Sequence, residues 1–188
     1  INVNGYSDKL EEKLEKSDIV IVPSYYEGFG SGEPILFLHS SFSRGLLSFG
    51  AQIQPLQGKY RCIVPDFRGH GRTICDDLTW SSRKIAEDMI LFLNELGIEC
   101  AHLIGYSMGA FVGMYMASKY PERVLSFVSI GGGVAPVPKG SEYYLPEEVL
   151  KRNDTDLIEE MTLRHFDAHK GNWQEYLRQT VADWRSHP

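Results

Sequence analysis

The sequence predicts an α/β fold: a mostly parallel sheet with helices on both faces, followed by a helical cap. Three observations carry this. Strand-sized apolar runs alternate with helix-length segments from residue 19 to residue 130. The best of these runs are apolar throughout, as strands buried on both faces should be. After residue 134 helical patterns continue and strand patterns stop.

The elements follow in order. Residues 8–16 (DKLEEKLEK) are charged and weakly periodic, readable as a short surface helix or as a solvated tail. Ile19–Val22 and Tyr25–Phe29 read as short strands, and GSGEP (30–34) as a turn built from glycines and a proline. Ile35–His39 (ILFLH) is a buried strand. Residues 44–57 form a helix that ends before Gly58, and Arg61–Val64 is a strand ended by Pro65. The next helix runs from Ser81 to Leu96. Its apolar positions Ile85, Met89, Leu93 and Leu96 share one face, and Gly97 suits the residue just past its end. Cys100–Gly105 is a strand. Met108–Tyr120 is apolar on nearly all sides, which predicts a buried helix, and Pro121 ends it. Val124–Ile130 (VLSFVSI) is the last strand, running into Gly131-Gly132-Gly133; about six strands result.

APVPKG (135–140) is a breaker-rich linker, so the expected division is a core over 1–134 and a cap over 135–188. In the cap, Asn172-x-x-Glu175 is a capping box. Trp173, Tyr176, Leu177, Thr180, Val181 and Trp184 then fall at helical spacing. That stripe reads as a packing face, with ligand lining as the alternative.

Composition excludes several classes. The 188 residues are 43% hydrophobic and 23% charged, with net charge −6 and no basic cluster, which argues against nucleic-acid binding. Cys62, Cys75 and Cys100 are isolated and odd in number, so neither a zinc site nor a disulfide framework is expected. A reduced, cytoplasmic setting fits them. No metal or organic cofactor is implied. No apolar run is long enough to span a membrane. The first residues, INVNGYSDKLEEKLEKSD, lack a signal-peptide pattern and begin at Ile1 rather than Met.

The chemistry concentrates in Gly105-Tyr106-Ser107-Met108-Gly109-Ala110, a GxSxG between a predicted strand and a predicted buried helix. A turn this tight strains the serine backbone by about 1–3 kcal/mol. It also requires small flanking residues, which Gly105 and Gly109 supply from the turn itself, outside regular structure. The result is a hydroxyl at a strand's C-terminal edge beside a helix N-terminus, where negative charge is favoured. The alternative is a small-residue turn with no chemistry. An oxyanion needs two N–H donors. Met108 supplies one, and Ser41, in the loop after ILFLH, is the candidate for the other. His39 reads as a brace for that loop. Asp66-Phe67-Arg68-Gly69-His70-Gly71-Arg72 lies at the same sheet edge. Asp66 and Arg68 are expected to tie down a glycine turn. His70 reads as turn chemistry, with general base as the minority role.

ILFLHSS, PDFRGHGRT and LIGYSMGAFVGMYMASKYPERV, in that order and spacing, resemble the α/β-hydrolase superfamily, and YYEGFGSGEP resembles its N-terminal hairpin region. The resemblance covers about residues 19–133. It implies a serine nucleophile at Ser107 and oxyanion donors on the Ser41 and Met108 backbone. It also implies a cap that roofs the pocket over 135–188. The family commonly has Gly where this chain has Ser40, which bears on the geometry of the oxyanion loop.

In that family the chain order is Ser, then Asp or Glu, then His. Here the histidines after Ser107 are His165, His169 and His187, all in the predicted cap, and the position after the last strand is Gly131-Gly132-Gly133. Neither acid nor base of a triad is recognisable, so the chain reads as the first part of a hydrolase ending with its cap. The expected function is a serine hydrolase of small carboxylic esters or related acyl compounds, with little activity in this chain. The alternatives are a non-catalytic ligand-binding or interaction module, and a second chain that supplies the missing groups. VLSFVSI is expected to form an exposed apolar edge, so that the chain self-associates, swaps segments or rearranges its cap over the gap.

Overall fold

The structure is a computed structural model, and it describes residues 25–73, 77, 79–132, 140–164 and 171–186. The predicted helix over 8–16, the strand Ile19–Val22, Cys75, the 134/135 boundary and His165, His169 and His187 lie outside the described residues.

Five strands form one sheet in the order β1-β3-β2-β4-β5. They are β1 (Tyr26–Phe29), β2 (Glu33–Leu38), β3 (Tyr60–Pro65), β4 (Ala101–Tyr106) and β5 (Val124–Ile130). β2, β3, β4 and β5 run parallel, and β1 joins β3 antiparallel. The helices α1 (Gly45–Leu56), α2 (Ser82–Glu95) and α3 (Met108–Lys119) make the crossovers. This is the expected mostly parallel sheet with helices on both faces.

Local differences have physical reasons. Glu33 and Pro34 belong to β2 and not to a turn. They pair only with β3, because pairing with β4 starts at Ile35, so the missing proline N–H interrupts no ladder on that side. Pro65 closes β3 instead of ending the strand before it, paired with Tyr26 on the edge strand β1.

The side-chain period of two sorts the core. Ile35, Phe37, Cys62 and Val64 face α1 and pack on Phe49 and Ile53. Leu36, Leu38, Ile63 and Leu103 face the other way and meet Ile85, Met89 and Leu93 of α2 and Met108, Val112 and Met116 of α3. Ser81 caps α2 by accepting from the Lys84 amide at 3.2 Å.

The cap consists of a helical turn at Ser141–Tyr144 and the helices α4 (Pro146–Lys151), α5 (Thr155–Arg164) and α6 (Trp173–Ser186). Asn172 caps α6 through the Glu175 amide at 3.1 Å, while the Glu175 carboxylate bonds Gln179. The stripe Trp173, Tyr176, Leu177, Thr180 and Val181 is buried, as a packing face should be, and Trp184 is half-buried. Two polar contacts that periodicity does not reveal dock α6 on the core. Asp183 accepts from the Ser82 amide at 2.7 Å and the Ser82 hydroxyl at 2.6 Å, placing a buried carboxylate at the N-terminus of α2. One turn earlier, Gln179 accepts from the Trp80 amide at 2.5 Å.

β5 forms one edge of the sheet among the described residues: Phe127 packs on α3 beside Gly113, while Leu125 is 46% exposed, Val128 50% and Ile130 42%. Among the described residues no helix is long and apolar enough to cross a membrane.

Candidate active site

The carboxyl ends of β2, β3 and β4 converge at one edge of the sheet. This is the edge at which open α/β sheets present their ligand sites. At the end of β4 the chain reverses into α3 through a single residue. Ser107 has φ 53° and ψ −113°, a region that L-residues rarely occupy. Its amide still donates to the Ile130 carbonyl at 2.8 Å, extending the β4–β5 ladder, while its own carbonyl accepts from Ala110 at 2.9 Å and starts the helix. The strain expected of the elbow therefore sits on Ser107 alone.

Gly105 belongs to β4 and Gly109 is the second residue of α3, where the strand and helix ranges read from the sequence place them and against the expectation that the turn itself holds them. Neither has positive φ. What they supply is closeness. A Cβ on Gly109 would overlap the Leu38 carbonyl oxygen and come within 2.7 Å of that of His39, and one on Gly105 would lie 2.8 Å from the Ala110 Cα. Their lack of side chains lets α3 start against the end of β2 and brings Met108 to the loop that follows His39.

Ser107 is half-buried, and among the described residues no hydrogen bond reaches its hydroxyl. The amides of Ser41 and Met108 likewise have no partner there, and the Ser41 hydroxyl is a buried oxygen without one. Ser40 stays out of the left-handed region, so the serine in place of the family's glycine is accommodated. The left-handed residue of the loop is Phe42, with φ 57°.

His39 is fully buried and braces the loop from both ring nitrogens. Nδ1–H donates to the Ser40 carbonyl at 2.8 Å, and Nε2 accepts from the Phe67 amide at 3.0 Å. A ring accepting an amide hydrogen must be neutral, and burial lowers its pKa from 6.5 to about 4, against the opposing pull of the Ser40 carbonyl and Asp66. The consequence for stability has a definite sign. Between pH 6.5 and about 4 the unfolded chain binds a proton that the folded chain does not, so stability falls as pH falls through that window and is flat in this respect above it. The expected loss is up to about 3 kcal/mol, measurable by denaturant unfolding across the window. His39→Gln should flatten that part of the profile.

Asp66 links the glycine turn to the start of α1. It accepts from the Gly45 amide at 2.8 Å and the Arg72 amide at 3.0 Å. Arg68 differs. Its guanidinium makes two 2.8 Å bonds to Asp88 on α2, so it fastens the loop to a helix rather than the turn to itself. His70 has both nitrogens engaged, Nδ1 with the Arg68 carbonyl at 2.8 Å and Nε2 with the Tyr176 hydroxyl at 3.0 Å, and it is fully buried. It is placed as a structural group, not as a base facing Ser107.

Beyond β5 the chain passes through Gly131 and Gly132, which bring no carboxylate to the site. A different serine–histidine contact, missed in the sequence, joins Ser126 to His102 at 2.7 Å, with Glu33 at 3.7 Å from the other ring nitrogen. It lies at the amino ends of the strands, opposite Ser107. Among the described residues no group of three or more His, Cys, Asp or Glu could hold a metal.

The family model described as alpha/beta hydrolase fold matches residues 33–173. The chain is 31% identical over 178 residues to a protein of Cyberlindnera jadinii named "Probable alcohol acetyltransferase", covering 93% of this chain and 48% of that one. It is 32% identical over 124 residues to epoxide hydrolase 2 of Siraitia grosvenorii, covering 63% of this chain and 39% of that one. The structure of a thermophilic esterase from Thermogutta terrifontis matches with a TM-score of 0.62 and 27% identity, over 88% of this chain and 62% of the esterase. The chain thus spans less than half the length of either curated relative.

Proposed function

This chain belongs to the alpha/beta hydrolase fold family, and we propose that within it the protein is a serine hydrolase of small carboxylic esters or related acyl compounds. The observation that carries the reading is the strained Ser107, the one residue between β4 and α3. Among the described residues its hydroxyl is unengaged, and the amides of Met108, next in the chain, and Ser41 have no partner. Strain of about 1–3 kcal/mol persists only where the surroundings impose it, and at such an edge it serves a reacting group.

In this reading Ser107 Oγ attacks the acyl carbonyl. The carbonyl π pair moves to oxygen, and the Ser41 and Met108 amides stabilise that oxyanion. Collapse expels the alcohol, which takes up a proton, and leaves an acyl-serine. Water then adds and releases the acid, restoring the hydroxyl. An alcohol in place of water would give acyl transfer, the activity named for the relative from Cyberlindnera jadinii. Serine at the elbow argues against the family's aspartate-nucleophile branches, epoxide hydrolases among them.

Proton removal from Ser107 needs an imidazole and a carboxylate to orient it, and this sequence offers no recognisable pair. Turnover by this chain is therefore low. The second reading is a non-catalytic ligand-binding or interaction module on the same scaffold. A fluorophosphonate, whose phosphorus is attacked with loss of fluoride, separates the two: saturable labelling that Ser107→Ala removes supports the hydrolase, and an inert chain supports the module. We further propose that the chain self-associates through β5. Its unpaired edge and the exposed Leu125, Val128 and Ile130 support this. Sedimentation should give a concentration-dependent dimer, and a monomer at all concentrations would contradict it.

A further inference from the structure

Two non-glycine residues flank the anion-binding corner in the left-handed region. Ser107 precedes the Met108 amide, and Phe42, with φ 57°, follows the Ser41 amide. A bulky residue in that region needs surroundings that hold it there. For Phe42 the holder is the cap. Its amide donates to the Tyr176 phenol oxygen at 3.0 Å, across 134 positions of sequence. Its ring meets those of Tyr144, Tyr176 and Trp184 at centroid distances of 6.3, 5.7 and 6.3 Å. Tyr176, on α6, is fully buried.

The phenol hydrogen has a defined direction. The Arg68 carbonyl can only accept, so the 2.8 Å contact puts the His70 ring hydrogen on Nδ1. In the neutral ring Nε2 is then the acceptor, and the Tyr176 hydroxyl donates to it at 3.0 Å. The outcome is a one-way chain from Phe42 N–H through Tyr176 O–H to His70, anchored by the grip of Arg68 on Asp88. Donation to His70 makes the phenol oxygen a stronger acceptor for Phe42.

We propose that Tyr176 is a positioning residue for the anion-binding loop. By holding the Phe42 amide it fixes the peptide plane that follows Ser41, while His39 holds the Ser40 carbonyl of the plane that precedes it; with both planes held, the Ser41 backbone dihedrals and the direction of its N–H are set. Docking of α6 and assembly of the anion-binding corner are then one event. The catalytic consequence rests on the serine-hydrolase reading; the tether itself does not.

The test uses the full chain and Tyr176→Phe, which removes one oxygen, with folding checked by circular dichroism. Amide exchange at Phe42 should speed up about three- to tenfold, the worth of one net hydrogen bond, while that of Leu103 in the sheet stays unchanged. In saturation labelling with a fluorophosphonate, kinact should fall by a similar factor and KI should hold within about twofold, because the loop acts on the developing charge. A folded variant with unchanged Phe42 exchange overturns the proposal, as does faster exchange with unaltered kinact. If the unsubstituted chain does not label at all, the serine reading fails, and the exchange measurement alone decides the tether. Should Tyr176→Phe not fold, 3-fluorotyrosine at position 176 weakens the acceptor without removing it. Both readouts should then shift the same way by about twofold, and no shift in Phe42 exchange overturns the proposal.

Discussion

Gly109→Ala should lower stability by about 3 kcal/mol or more, a fall of roughly 6–12 °C in the unfolding midpoint. Intrinsic helix propensity argues the other way, since alanine is favoured over glycine inside a helix by about 1 kcal/mol. Packing decides. The added methyl overlaps the Leu38 carbonyl oxygen and crowds that of His39, and both are backbone atoms at the end of a buried strand that cannot rotate away. α3 would have to lift from the end of β2, taking Met108 with it. Gly50→Ala is the matched control. Gly50 lies in α1, and a Cβ there meets nothing within 4 Å, so that change should stabilise by about 0.5–1 kcal/mol. Opposite signs for one chemical change in two helices are expected in thermal unfolding. A Gly109→Ala midpoint within a degree of the unsubstituted protein would show that the close start of α3 is not required.

Ser107→Gly should leave the chain more stable than Ser107→Ala by about 1–3 kcal/mol. Glycine accepts φ 53° and ψ −113° at no steric cost, whereas alanine keeps the whole backbone penalty. The greater freedom of glycine in the unfolded chain offsets part of this gain, so the difference falls toward the lower end. Neither variant can carry an acyl group. A more stable but inert Ser107→Gly would be the signature of strain held in place for a reacting group. Equal stability of the two would remove that argument for chemistry at this position.

The fold was legible because its signals are local. ILFLH and the strand before Ser107 are too apolar to face water, and the Ile85–Met89–Leu93 spacing defines a helix face without any tertiary knowledge. VLSFVSI could be read as a strand from its own apolar run. The site was legible only in part. GxSxG marks the bend, but its spacing does not say where regular structure stops, and the glycines turned out to belong to the strand and the helix. Partners distant in sequence left no trace. Tyr176 reads as one more aromatic on a packing face, and nothing in its spacing predicts a bond to Phe42. Asp183, buried against Ser82, looks like an ordinary surface acid in an amphipathic helix. Arg68 is visible in its motif, but its partner Asp88 is a polar position of α2 like several others.

The central claim is that a one-residue bend presents the Ser107 hydroxyl as a nucleophile beside two waiting amides. Peptide mass spectrometry after fluorophosphonate treatment tests it most directly, because it reports which oxygen reacted. The expected result is a single phosphonyl adduct on Ser107, absent from Ser107→Ala and undiminished by Ser126→Ala. An unmodified Ser107 peptide, with or without an adduct on Ser126 at the far edge of the sheet, would contradict the claim.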